Sequence, residues 1–334
     1  MLGFLLRSVI LAVVLVVVAA AAAAWWALRP LALPHDPVDF SIAPGSSVRA
    51  VARQMNEAGL AVHPDGLVLL ARLSGLDRQL KAGSYEVTGK DSLWQLLQRM
   101  AQGDVQYSRI TLIEGWTFAQ IRQELARHPD IRQTLAATDD ATLLQRLGTD
   151  HEHPEGLFFP DTYSFAKGSS DFDILRRAHV AQRQQLAEAW DARNPEVPWK
   201  TPYEMLIMAS IIEKETGQDA DRAKVAGVFA NRLRINMPLQ TDPTVIYGMG
   251  DAYDGRLLRR HLTIDHPWNT YTRPGLPPTP IANPGRQALQ AAAHPDTHRY
   301  LYFVARGDGS SAFAQNLADH NRNVNRYIRG AGAN

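Results

Sequence analysis

The sequence predicts an α+β protein behind an apolar N-terminal helix, and three observations carry that prediction. Short runs of β-branched and aromatic residues alternate with longer helical patterns in irregular order, and no internal repeat appears. Residues 8–28 form an uncharged apolar stretch that stands apart from everything after it. A long segment rich in Pro, Gly, Asn, Thr and Tyr, residues 237–284, interrupts the C-terminal half and reads as an irregular surface or cleft wall.

Composition narrows the function classes. The chain has 334 residues, enough for two or three domains, and a formal charge of +1. Charges of both signs are mixed and no long basic run occurs, so nucleic acid is not an expected partner. Cysteine is absent, which excludes a thiol nucleophile, a disulfide framework, cysteine-ligated zinc and a lipidated cysteine anchor. An extracytoplasmic location stays open, because a large core needs no disulfides.

The N-terminus reads as a membrane anchor. At ~1.5 Å per residue, residues 8–28 span a hydrocarbon core of ~30 Å. Arg7 and the terminal amine precede the stretch; Trp25 and Trp26 close it as an interfacial pair before Arg29. A cleaved signal peptide is the competing reading, because the alanine run offers small-residue cleavage sites. The length of the stretch and its aromatic exit favour an uncleaved single-pass helix. Residues 1–7 then form a short cytoplasmic tail, and everything beyond Pro30 lies outside the cytoplasm. Residues 30–37 read as an extended proline-rich stalk.

A small module is expected over residues 38–106. Residues 38–42 alternate like a strand, Pro44-Gly45-Ser46-Ser47 turns into a helix ending near Gly59, residues 64–73 form a second helix, and residues 82–87 a second strand. This β-α-α-β order resembles a LysM module, a peptidoglycan-binding fold. Its competing reading is an adaptor that spaces the rest of the chain from the membrane. Residues 107–334 are expected to form the catalytic domain. A helix over 92–102 precedes a strand at 107–113 and a helix at 117–127. Residues 130–150 read as helical and polar, and 155–163 as an aromatic loop. Helices are expected at 171–191, 202–216, 219–235 and 285–293, a strand at 300–304 and a closing helix at 316–329.

The helix from 202 to 216 carries the sharpest chemical signal. Thr201 is an N-cap candidate, Pro202 suits the first helical position, Glu204 completes a capping box, and Gly217 is the expected C-terminal glycine cap. The helix is apolar over most of its surface yet ends in Glu213, Lys214 and Glu215. At helical spacing Glu215 falls beneath Met208, Ile211 and Ile212, whereas Glu213 follows Ala209 and Ser210. A carboxyl at the end of an apolar stripe is desolvated and its pKa rises, as a general acid near neutral pH requires. The plainer reading is a solvated helix end with surface ion pairs.

Downstream, Gln240, Asp242, Tyr247, Asn269, Tyr271 and Asn283 offer the amide, carboxylate and aromatic groups that suit a sugar, with apolar ring faces and hydroxyl edges. Asp242 before Pro243 equally has the form of a helix N-terminus. His151-Glu152-His153 lacks helical metal-ligand spacing and reads as a polar loop, so no metal is expected. Ser164-Phe165-Ala166-Lys167 matches S-x-x-K, but no S-D-N or K-T-G accompanies it.

Several long motifs occur together: MASIIEKET, VFANRLRINMPLQTDPTVIYGMG, WNTY, GLPPTPIANPG, AAAHP, YLYFVA and NLADHN. In this order they closely resemble the endolytic murein transglycosylases of the YceG-like family, over nearly the whole chain. The resemblance implies a membrane-anchored enzyme of the bacterial cytoplasmic membrane that cleaves glycan strands of peptidoglycan internally, with no cofactor. It implies that Glu215 is the catalytic glutamate, that Glu215-Thr216 corresponds to the Glu-Ser pair of other lytic transglycosylases, and that Glu213 flanks the site. A short tether implies action on nascent strands and makes the peptidoglycan synthases (penicillin-binding proteins) candidate partners. The enzymatic alternative is a lysozyme-like hydrolase using Asp242 or Asp161 as second carboxylate; the non-enzymatic one is a tethered peptidoglycan-binding scaffold.

Overall fold

A computed structural model describes residues 2–330. The first helix, α1, runs Leu2–Leu28, so the expected tail joins the helix rather than preceding it. Val9–Leu28 is a 20-residue stretch of mean hydropathy 2.7, long and apolar enough to fit a membrane anchor. The chain then divides into two compact units.

The smaller unit holds residues up to 109 together with 130–132 and 164–169. Strand β1 (Val38–Ile42) pairs antiparallel with β2 (Gly83–Val87), with Phe40 opposite Tyr85. Between them lie helices α2 (Val48–Glu57) and α3 (Pro64–Leu73), in the expected β-α-α-β order. Alternation along β1 buries Val38, Phe40 and Ile42 on one face. They meet Val51 and Met55 of α2, Leu67 of α3, and Leu96, Leu97 and Met100 of α4 (Leu93–Gln102) in one apolar core. The helix starts are chemically defined. Ser47 accepts from the Ala50 N–H, and Ser92 with Gln95 forms a reciprocal capping box on α4.

Residues 30–37 are not a free stalk. Pro30 bridges to Ser92, the Leu31 N–H donates to the Asp91 carbonyl at 2.9 Å, and Leu31 and Leu33 pack on the core. Two leucines spaced by one residue on an extended chain share a face, and burying that face outweighs the freedom of a spacer.

The larger unit is helix-rich. Strand β3 (Tyr107–Thr111) pairs with β4 (Thr162–Ala166), the latter falling at the end of what reads from sequence as a loop; residues 107–109 and 164–166 of this pair count with the smaller unit. Helix α5 spans Phe118–Arg127. Of residues 130–150 only Asp140–Leu147 is helical (α6), begun by the Asp139 cap and stopped by left-handed Gly148. Helices α7 (Asp171–Asp191), α8 (Pro202–Glu215) and α9 (Asp219–Arg234) lie close to their expected spans. The irregular segment contains α10 (Asp242–Met249), and α11 (Arg286–Ala293) follows it. A hairpin of β5 (Tyr302–Ala305) and β6 (Ser311–Ala314) precedes α12 (Leu317–Val324), which ends in a π turn over Asn325–Arg329.

Helix α8 lies at the centre of this unit. Every residue from Met205 to Ile212 is buried, against α7, α9, α10 and α11. Its start is half as expected: Thr201 accepts from the Glu204 N–H at 3.1 Å, but the Glu204 carboxylate turns back to the Lys200 N–H at 2.5 Å. Its end differs too. Thr216 is extended and Gly217 adopts no left-handed conformation, because the chain leaves α8 directly towards α9.

Phe158 is fully buried and stacks on Phe118 with ring centroids 5.0 Å apart. Phe158→Ala is expected to destabilise the larger unit by ~3–5 kcal/mol, the sum of lost transfer energy and residual cavity. Denaturant titration of the detergent-solubilised chain, wild type beside variant, measures it.

Candidate active site

Helix α8 delivers its terminal carboxylates into different surroundings. Glu213, 100° of helix away from Lys214 on one side, has a side chain only 7% exposed. It accepts from the Gly285 N–H at 2.9 Å, at the start of α11, and lies 3.7 Å from the Arg222 guanidinium. Burial pushes its pKa up, while the Gly285 N–H and Arg222 pull it back. Glu213 is therefore a buried tie between α8, α9 and α11 rather than a solvated helix end. Lys214 turns outward and donates to the Gly115 carbonyl at 3.2 Å.

Glu215 faces the start of α10. Its carboxylate accepts a hydrogen bond from the Thr241 hydroxyl, which precedes Asp242. Burial raises its pKa to about 7; the nearby Asp242 charge adds to the rise, and Thr241 and Arg232 oppose it. A carboxyl in this range carries a proton near neutral pH and can also give it up.

Thr241 is itself held by a small network. Its N–H donates to the Thr270 hydroxyl at 3.1 Å, and Thr244 joins Thr270 at 2.9 Å and donates to the Thr241 carbonyl at 2.7 Å. Arg232 is buried and committed to carbonyls, donating to Leu301 and Leu239 at 2.6 Å each. It lends Glu215 a positive field without a direct ion pair among the described contacts.

The expected site residues fall into two sets. Gln240 is exposed beside Thr241 and holds φ +48°, a left-handed conformation costly for a residue with a side chain. Asp242 is exposed and accepts from the Tyr271 hydroxyl at 2.6 Å. Burial and the Asp242 and Glu215 charges all push the Tyr271 phenol upward, so Tyr271 stays a neutral donor. Asp242 and Tyr271 thus lie near Glu215, and Gln240 directly precedes the Thr241 that bonds to it. Asp242 is not the N-cap; Thr241 is, and Asp242 and Pro243 open α10 itself.

Asn269 and Asn283 form the second set, in the interior. Asn269 is fully buried, donating to the Leu262 and Ile264 carbonyls and accepting from the Tyr271 N–H at 2.9 Å. Asn283, also fully buried, donates to the Trp116 carbonyl and to Glu155 and accepts from the Phe158 N–H at 3.0 Å. Their amides satisfy buried backbone groups and leave no N–H for a ligand.

Tyr247 lies farther along α10, in the wall of a cavity of about 830 Å3 that Phe118, Glu155, Lys214 and Trp268 also line. Its ring meets Trp268 edge-on at 5.6 Å. Glu155, not singled out from the sequence, is buried there: it accepts from the Phe118 N–H at 2.9 Å and from Asn283 at 3.2 Å, and bonds to Tyr247. Burial lifts its pKa to about 7. The Pro-Glu-Gly step at 154–156 gave no periodic signal, and only the cavity reveals it. Thr241 and Arg232 were likewise missed; a hydroxyl directly before Asp-Pro was the available hint for Thr241. His151 stacks on Tyr203 at 4.5 Å, and no metal-binding cluster of His, Asp and Glu occurs among the described residues.

A carboxyl poised near neutrality at the end of a buried helix, ringed by hydroxyl, phenol and carboxylate groups, has the makings of an acid–base enzyme site. The comparisons with known proteins give the family. The YceG-like family pattern matches residues 40–326, and the chain belongs to that family. An endolytic murein transglycosylase of Bacillus subtilis (strain 168) is 34% identical over 308 residues, covering 87% of this chain and 85% of that protein. One of Streptococcus pneumoniae (strain D39) is 28% identical over 324 residues, covering 87% of this chain and 58% of that longer protein. The crystal structure of a yceG-like protein from Listeria monocytogenes matches with TM-score 0.56 and 30% identity, over 86% of this chain and 98% of that one.

The raised pKa of Glu215 has a stability consequence. An unfolded glutamate ionises near 4.5, the folded one near 7, so between these values the folded state binds more protons. Stability contributed by the neutral group is full below pH 4.5 and is lost as pH rises through about 7. Glu215→Gln does not titrate, so its melting temperature relative to wild type is expected to climb across that window and then level off. Thermal unfolding at a series of pH values reads this directly.

Proposed function

We propose that this chain is an endolytic murein transglycosylase, tethered to the cytoplasmic membrane by α1, which cuts the bond between N-acetylmuramic acid and N-acetylglucosamine without consuming water. The observation that carries this reading is Glu215: a carboxyl on a buried helix, with pKa about 7 and one hydroxyl donor. Membership of the YceG-like family and the activity named for its relatives support it.

Protonated Glu215 gives its proton to the glycosidic oxygen as the bond to the muramic anomeric carbon breaks. The oxocarbenium-like state is stabilised by the surrounding polar groups and by the substrate's own N-acetyl group. Glu215, now a carboxylate, takes the proton of the muramic C6 hydroxyl, whose oxygen closes on the anomeric carbon. The products are a free N-acetylglucosamine 4-hydroxyl and a 1,6-anhydro-muramic end, and Glu215 is protonated again. Thr241 orients the carboxyl and Tyr271 with Asp242 forms one wall of the site. Gln240, held in a strained backbone conformation, presents its amide to the strand, and Tyr247 with Trp268 offers aromatic surface to sugar rings.

The β-α-α-β module fits a LysM-like peptidoglycan-binding role. Arg7 and the terminal amine favour an inside N-terminus, which places both units on the outer face of the membrane. There the enzyme would act on nascent strands beside the polymerising synthases and so terminate their elongation. The Asp242 charge close to Glu215 favours one second reading, hydrolysis with Asp242 activating water.

Mass analysis of products from purified glycan strands separates the two. Anhydro-muramic ends, one water lighter than reducing ends, are expected from the wild type and lost with Glu215→Gln, whose rate should fall ~10²–10⁴-fold or more. Reducing ends would establish hydrolysis instead, and undiminished cleavage by the variant would remove Glu215 from the mechanism. Thr241→Val should shift the alkaline limb of the pH–rate profile upward, because the lost hydrogen bond had stabilised the ionised carboxylate. An unchanged limb would mean that a different group sets it.

A further inference from the structure

The end of α1 is built into the smaller unit. The Trp26 ring lies directly over Gly66 of α3, so close that a Cβ at Gly66 would come within 2.8 Å of it. The glycine is therefore what lets the last turn of the apolar helix seat on α3. Trp25, one residue earlier, stays 66% exposed with the Arg29 guanidinium 5.2 Å from its ring.

Helix α3 does not end its apolar surface where Trp26 covers it. Leu69 and Leu73 stand three and seven positions after Gly66, along the same side of the helix, and are 59% and 80% exposed. Leu67 and Ala71 occupy the core-facing side, so the outer leucines contribute nothing to that core. Arg72, exposed, lies between them in the last turn. At ~1.5 Å per residue, Leu69 and Leu73 are only ~4.5 and ~10.5 Å along the axis from the Trp26 contact. Each interfacial zone of a bilayer is some ~5–8 Å deep on either side of the hydrocarbon core. An aliphatic row flanked by an arginine, next to a tryptophan pair at the exit of an apolar helix, has the composition of a membrane-interface surface.

We propose that the Leu69–Arg72–Leu73 face of α3 lies in the interfacial layer of the bilayer that holds α1, so that the smaller unit rests on the membrane surface. The occupant follows from continuity: the face begins at the residue on which the membrane helix itself packs. The proposal rests on the reading of α1 as a membrane anchor and is independent of the chemistry at Glu215. Its consequence is positional. With residues 30–37 packed and Trp26 seated on α3, the module does not range outward on a tether; it is held at the lipid surface.

The absence of cysteine makes the test clean. Single variants Leu69→Cys and Leu73→Cys in the full chain are labelled with an environment-sensitive fluorophore and reconstituted into vesicles of phosphatidylethanolamine and phosphatidylglycerol. Val14→Cys, within α1, is the membrane control. Gln102→Cys is the water control, since it lies at the far end of α4 from Ser92, which Pro30 touches. The expected result is a blue shift at positions 69 and 73 and loss of their emission when quencher-bearing lipids are used, with neither at 102. If 69 and 73 behave like 102 while 14 is quenched, the face is in water and the proposal falls. If they shift blue without lipid quenching and Leu73→Cys cross-links to itself before labelling, a second copy covers the face and the proposal falls. If 14 is also unquenched, the anchor reading fails and takes the proposal with it.

Discussion

Eight consecutive residues of α8, from Met205 to Ile212, have no solvent face, and most of the larger unit is arranged to cover them. Such a helix cannot be placed by one amphipathic stripe; it must be surrounded, and α7, α9, α10 and α11 do so. The single hydroxyl among these eight residues is spent internally, with Ser210 donating to the Ile207 carbonyl and accepting from the Ile281 N–H at 3.0 Å. The consequence for chemistry is that the next turn emerges with its direction fixed. Carboxylates at positions 213 and 215 are delivered to separate places on a rigid support, which is what a site requiring defined geometry needs.

Those two carboxylates, with Glu155, show how environment rather than residue type assigns a role. Glu213 is buried but answered by a backbone N–H and a guanidinium, and it holds helices together. Glu155 is buried in a cavity wall and bound by Phe118, Asn283 and Tyr247, so it organises three separate stretches of chain. Among the described contacts Glu215 has the fewest obligations: one hydroxyl from Thr241, a neighbouring Asp242 charge and the field of Arg232. A group so lightly engaged and so poorly solvated has its pKa raised to about 7 by burial, which is the property the proposed acid–base role draws on.

The smaller unit shows the same economy at the opposite end of the chain. Its core unites two short strands with three helices, and the apolar residues after α1 add to that core instead of spanning a gap. A two-stranded sheet alone is marginal, and helices on one face are what make it persist. The join with α1 depends on one small residue, Gly66, which accepts an indole where any side chain would collide.

The sequence by itself determined the local elements whose ends are written in short-range chemistry. Ser47, Ser92, Thr117 and Asp139 cap the helices they precede, and the apolar run ending at Leu28 forms one continuous helix. It also marked Glu215, because an apolar helix that ends in carboxylates is legible at a spacing of three and four residues. Tertiary structure decided everything that depends on who fills the space opposite. β4 and β6 exist because partner strands are available, which no window of four or five residues reveals. Asn269 and Asn283 read as sugar-binding amides in one dimension but became backbone braces once buried carbonyls and N–H groups surrounded them. Residues 30–37 read as a spacer until a core was within reach of Leu31 and Leu33. Glu155 and Thr241 gained their meaning only when residues from 26 to 128 positions apart met. Capping and periodicity act within a turn or two of chain, whereas desolvation and hydrogen-bond satisfaction are set by neighbours that only folding brings together.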